Sequence, residues 1–192
     1  YAVSEAYGLT RIMALKTAMD RAIQTIVDGQ QPLGGFDYSY NKGARRDASV
    51  LAWQVQALKA AYISGTEVSG VREALDKAVS DLRHHVNPET GRFDYSEKGK
   101  GGTAGITGIG VLSMQLCGRG NDPIVARALN YLKSVDCDWD TPGGWKLYGW
   151  YYVTQAKFHG QTVNASQWED WNKLFSPVFL KSQNEDGSWD PP

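Results

Sequence analysis

Four times along the chain a glycine is followed two residues later by a large aromatic: Gly34 to Phe36, Gly91 to Phe93, Gly143 to Trp145 and Gly187 to Trp189. These glycines lie 57, 52 and 44 residues apart, so the chain is an internal repeat with a period of about fifty residues. A second set, Gly8, Gly65, Gly118 and Gly160, closes apolar segments at steps of 57, 53 and 42. Each repeat thus has one order: apolar segment, glycine, amphipathic segment, glycine-aromatic turn. A unit of this kind cannot bury its apolar face alone and must stack on its neighbours.

The two segments of each repeat differ in kind. Residues 11–28 carry Ile12, Leu15, Met19, Ala22, Ile23 and Ile26 at helical spacing, with Arg11, Lys16, Asp20, Arg21 and Asp28 off that stripe. Val71, Ala74, Leu75, Ala78, Val79 and Leu82 repeat the stripe, and His84 and His85 close that helix, at the end that suits positive charge. Asp122 and Pro123 supply an N-cap and first-turn proline for a third copy. Ser166 with Glu169 forms a capping box for a fourth, which Pro177 is expected to kink or split. The alternating segments are nearly uncharged: residues 48–62 contain only Lys59, residues 103–117 no charge, and residues 148–158 only Lys157. A helix apolar on every face has to be surrounded.

This alternation predicts an all-α fold in one domain, residues 1–192, with an inner and an outer ring of antiparallel helices. Outer helices are expected near 11–28, 69–86, 123–135 and 167–182, and inner helices ending near 7, 63, 117 and 159. Two-residue alternation is scarce outside the short turns, which argues against a β-rich core.

Twenty basic and twenty-one acidic residues give a net charge of -1 with no long run of one sign, which argues against nucleic acid as a partner. The uncharged stretch Gly101 to Cys117 falls short of the roughly 20 apolar residues of a membrane span. Cys117 and Cys137 fall at opposite ends of an expected helix and read as free thiols, and they assign no compartment.

The stretch Gln183-Asn184-Glu185-Asp186-Gly187-Ser188-Trp189 closely resembles the Gln-x-x-x-Gly-x-Trp repeat of the squalene cyclase and prenyltransferase families, which build α/α toroids. Gln30 through Gly34 to Phe36 departs in the aromatic, and Asn87 through Gly91 to Phe93 also in the amide. Each position has a physical use: the glycine permits the turn, the aromatic wedges between helices, and the amide satisfies helix-end groups. Four repeats fall short of that family's closed ring, so the resemblance implies an incomplete arc and the remainder of a larger toroid. Open helix faces at both ends would favour association.

Activity does not travel with the fold. Squalene-hopene-type cyclases carry Asp-x-Asp-Asp-Thr before an inner helix. Here the corresponding stretch is Ala44-Arg45-Arg46-Asp47-Ala48, in which arginine replaces the proton donor. Asp47 reads first as an N-cap, with a catalytic carboxylate as the weaker candidate role. The zinc set of protein prenyltransferase β subunits is not matched by Cys137, its flanking aspartates and His159, and the Cys-Gly-Glu-Gln motif of thioester domains is absent.

The third repeat is four residues longer between Val135 and Gly143 than the fourth between Gln183 and Gly187. Within it Asp136, Asp138 and Asp140 alternate like oxygen ligands at the start of a calcium loop, although Thr141 and Leu147 stand where the loop's glycine and closing glutamate belong. A solvated acidic turn is the simpler expectation. Tyr148, Trp150, Tyr151 and Tyr152, with Trp53, Tyr38 and Tyr95, put many rings on or near inner helices, as core packing or as a ligand wall. Trp53, Trp150 and Tyr151 are the candidate ligand-binding residues. Gly105, Gly108 and Gly110 each cost a helix interior roughly 1 kcal/mol, which close helix contact or room for a ligand must offset.

Three functions compete. The first is a non-catalytic toroid module of a larger protein, presenting a concave or end surface to a protein partner or hydrophobic ligand, with no cofactor. The second is a terpene cyclase or prenyltransferase-like enzyme whose key acid or metal ligands lie elsewhere. The third is a carbohydrate-active α/α barrel, which requires paired carboxylates across an aromatic cleft.

Overall fold

The computed structural model describes residues 1–43, 45–96, 99–140 and 143–190. Among them the fold is all-helical, as the repeat pattern predicts: α1 (Ala2–Thr10), α2 (Met13–Gly29), α3 (Ala48–Ser64), α4 (Val71–His84), α5 (Ala104–Leu116), α6 (Pro123–Tyr131), α7 (Lys146–Gly160) and α8 (Ser166–Lys181). A short 3-10 turn, Leu132–Ser134, extends α6. The segments α1, α3, α5 and α7 pack one against the next, and each pairs with the helix that follows it. The even-numbered helices α2, α4 and α6 also touch the odd-numbered helix of the following pair. Charge dictates this division. Leu58 of α3 and Leu112 of α5 are fully enclosed, each contributing on the order of 1.5–3 kcal/mol of burial, while α4 buries one stripe from Val71 to Leu82.

The helix boundaries have local causes. Asp47 caps α3 by accepting from the amides of Ser49 and Val50, Thr103 caps α5, and Asp122 caps α6 ahead of Pro123. Gly65 and Gly118 end α3 and α5 in the left-handed conformation, closed by Thr66 N–H to Ala61 O (3.0 Å) and Arg119 N–H to Met114 O (2.8 Å). Gly8 and Gly160 do not stop helices in this way; they lie within α1 and at the end of α7, against Ser64 and Leu129. At α8 the expected capping box is replaced: Ala165 is the N-cap, and Asn164 Oδ1 accepts from the Ser166 amide. Pro177 does not split α8, which is assigned as one helix with the proline exposed on it.

The first and fourth glycine-aromatic turns are built alike. Gln30 Nε2 donates to Gly34 O at 3.0 Å and Gln183 Nε2 to Gly187 O at 2.9 Å, and both glycines have positive φ. Gly34 and Gly91 leave no room for a Cβ, because each turn presses on the backbone of the next repeat's helix: Lys77 of α4 and Arg127–Ala128 of α6. Phe36 and Phe93 are buried behind these turns, and Trp189 stacks on Phe179 at 4.6 Å.

The third turn departs from this pattern. Gly143 is not in the left-handed region, whereas Trp145 is (φ 66°), and the Trp145 ring is 84% exposed instead of wedged between helices. The inserted residues explain the exchange. Trp139 lies half-buried against Trp150 and Phe179, at 5.8 and 5.9 Å, occupying the interior in place of Trp145.

Close contact accounts for the helix-interior glycines. A Cβ on Gly105 would come within 2.8 Å of Gly149 Cα, one on Gly108 within 2.8 Å of Val153 N, and one on Gly110 would enter the Phe93 ring. Gly108→Ala is therefore expected to destabilise the fold by about 1–3 kcal/mol in thermal or denaturant unfolding. Gly144→Ala, with nothing within 4 Å of its Cβ, should leave the midpoint nearly unchanged.

Candidate functional site

Three helices, α3, α5 and α7, begin at one end of the molecule, and their first turns enclose a cavity of about 770 Å3. Its floor is apolar: Val50, Ile106, Val153 and the buried Trp150, together with the Gly105 and Gly149 contact. Trp53, Tyr95 and Tyr148 form walls, and Tyr38 and Trp145 stand at the mouth, 76% and 84% exposed. Ser49, Thr103, Asp136, Asp138 and Lys146 supply the polar groups.

Of the candidate ligand-binding residues, Trp53 and Trp150 line this cavity. Tyr151 does not; it stacks on Trp53, with ring centroids 6.4 Å apart and planes inclined by 24°. Trp53 also meets Tyr1 and, edge-on, the enclosed Tyr152. One aromatic cluster therefore joins α3 to α7.

Asp47 lies behind the wall, 1% exposed. Besides its two backbone partners it accepts from the hydroxyls of Ser49 and Tyr95. Burial pushes its carboxyl upward, but these hydroxyl and amide donors outweigh burial and hold it below the ordinary carboxylate range. Tyr95 moves the opposite way, raised by burial and by its bond to Asp47. Arg46 next door is structural: its Nε pairs with Asp81 of α4, and Nη1 donates to the carbonyls of Asp94 and Tyr95, both at 3.1 Å. It ties α4 and the segment before α5 to the start of α3, and it fixes the Tyr95 backbone in the cavity wall. Arg45 is exposed, its guanidinium 5.7 Å from the Tyr95 ring centroid. Ala44, the first residue of this stretch, lies outside the described residues.

The acidic turn is only partly solvated. Asp136 and Asp140 are exposed, whereas Asp138 is half-buried, its Oδ1 accepting from the Asp140 amide and its carbonyl accepting from Lys146 Nζ at 2.6 Å. Thr141, at the glycine position of a calcium loop, lies outside the described residues. Among the described residues no group of three or more His, Cys, Asp or Glu side chains is placed to hold a metal. Cys137 is buried and its thiol pushed up to about 12 by burial, so it is a poor nucleophile. Cys117 and Cys137 are free thiols, as expected.

Sequence reasoning brought two of its three candidate rings, Trp53 and Trp150, to the cavity and missed that Asp136, Asp138 and Trp145 line it too. The four-residue insertion followed by Gly143-Gly144 was the available signal. No protein-family model, no curated protein and no solved structure matches this chain. No helix among the described residues is long and apolar enough to cross a membrane.

Asp47 stabilises the fold as an ionised cap. Its folded-state pKa is depressed, so its contribution is present above the unfolded value of about 4 and disappears as pH falls through the lower folded value. Asp47→Ala is expected to destabilise by about 0.5–2 kcal/mol at pH 7. The gap between variant and wild type should close in urea unfolding at increasingly acid pH.

Proposed function

We propose that this chain is a binding module, an arc of an α/α toroid, that holds an amphipathic small molecule with its apolar part on the cavity floor. The observation that carries this reading is the cavity itself. About 770 Å3 falls in the range of small-molecule sites, and an apolar floor under a few polar groups is their usual composition. The toroid part rests on the resemblance of the glycine-aromatic repeats and on the succession of α1, α3, α5 and α7. Trp145 adds weight. A tryptophan in the left-handed region costs roughly 1–2 kcal/mol, and Trp145 sits there exposed at the cavity lining, a cost that contact with a ligand would offset.

The cyclase-type alternative gains no initiating acid from residues 45–47. Asp47 is held as a carboxylate by four donors, and residues 45 and 46 carry no carboxylic acid.

A neutral apolar fluorophore, N-phenyl-1-naphthylamine, is expected to brighten on adding the protein, and Trp53→Ala should weaken its uptake several-fold. Dye fluorescence unchanged by the folded protein would overturn the reading. Trp145→Asn, which places a residue tolerant of the left-handed region there, should raise stability by about 0.5–1 kcal/mol while weakening uptake of the same dye. Equal binding with raised stability would remove Trp145 from the site.

A further inference from the structure

Resting on that reading of the cavity, the geometry points to a ligand that carries a quaternary or alkylated ammonium group on an apolar body, held by the aromatic rings and the aspartates of the inserted turn. Ring faces attract cations and offer a neutral alkyl group no such term. Trp53, Tyr95, Tyr148 and Trp150 line the cavity. The protein already places a cation on one of these rings, since the Arg45 guanidinium lies over Tyr95. The Tyr95 hydroxyl donates to the Asp47 carboxylate, a charge-assisted bond that holds this ring in place in the cavity wall.

The charges of the lining point the same way. Among the described lining residues the charged ones are Asp136, Asp138 and Lys146, and Lys146 donates to the Asp138 carbonyl. The Asp136 carboxylate has no hydrogen-bond or ion-pair partner among the described residues. The helix starts oppose a cation, but those of α3 and α5 are occupied by Asp47 and Thr103, leaving the first turn of α7 as the one without a capping side chain. A compact inorganic cation is disfavoured because it needs several oxygen ligands, whereas a quaternary ammonium surrenders little hydration to enter an aromatic site.

Choline and its uncharged carbon isostere, 3,3-dimethylbutan-1-ol, test this directly by tryptophan fluorescence titration of the whole chain at fixed ionic strength. Choline is expected to bind roughly tenfold more tightly than the alcohol. Asp136→Asn should narrow that difference about threefold and Lys146→Ala should widen it, a direction set by charge alone. Equal affinities for choline and the alcohol, or choline binding unchanged in both Asp136→Asn and Trp53→Ala, overturn the inference. Uptake of N-phenyl-1-naphthylamine separates the two failures: dye binding without choline preference leaves the cavity reading intact, and loss of dye binding removes both.

Discussion

The approach of α7 to α5 governs the rest of the structure. Backbones come this close only where side chains are missing at the contact: Gly105 meets Gly149 with none on either helix, and Gly108 leaves the room that the Tyr152–Val153 backbone occupies. The contact puts α7 within reach of α3, so that Trp53 meets Tyr151 and Tyr152 although α5 stands next to both helices. It also sets the cavity floor, because the paired glycines lie in the first turns of α5 and α7. The conformational cost of glycine in these helices is offset by a contact that no larger residue permits.

A second constraint recurs along the chain. The turn after α2 presses Gly34 on α4, and the turn after α4 presses Gly91 on α6, so each unit fits the next through the same contact. Arg46 and Asp81 lock the first of these junctions, both side chains 4% exposed. An ion pair so buried gains little net stability, yet removing either partner leaves an uncompensated charge, so its use here is to hold three chain segments in one register.

The third glycine-aromatic turn departs from this contact, and the candidate site depends on that departure. Four additional residues move Trp145 out of the helix interface and bring Trp139 into it, while Asp136 and Asp138 come to line the cavity. Asp47 shows the complementary case, a carboxylate near the cavity whose hydrogen bonds commit it to the helix start and to the Tyr95 hydroxyl. Its role as a cap was legible because an aspartate before an uncharged run is a helix start signal. Its bond to Tyr95, 48 residues away, was not.

By itself the sequence determined the helices, and that α3 and α5 are enclosed while α4 buries a single stripe, because helical periodicity and the placement of charge are local properties that burial obeys. It also determined the glycine turns of the first, second and fourth repeats, where left-handed backbone requires that residue. Only the tertiary structure decided which rings pack and which line a cavity, since Trp53, Trp145 and Trp150 are chemically alike and differ in what the folded chain sets beside them. It likewise decided that the interior glycines of α5 serve contact with Phe93 and α7, and that the aspartates of an inserted turn meet the aromatic wall. Such juxtapositions depend on distances between residues far apart in the chain, which spacing along the sequence does not encode.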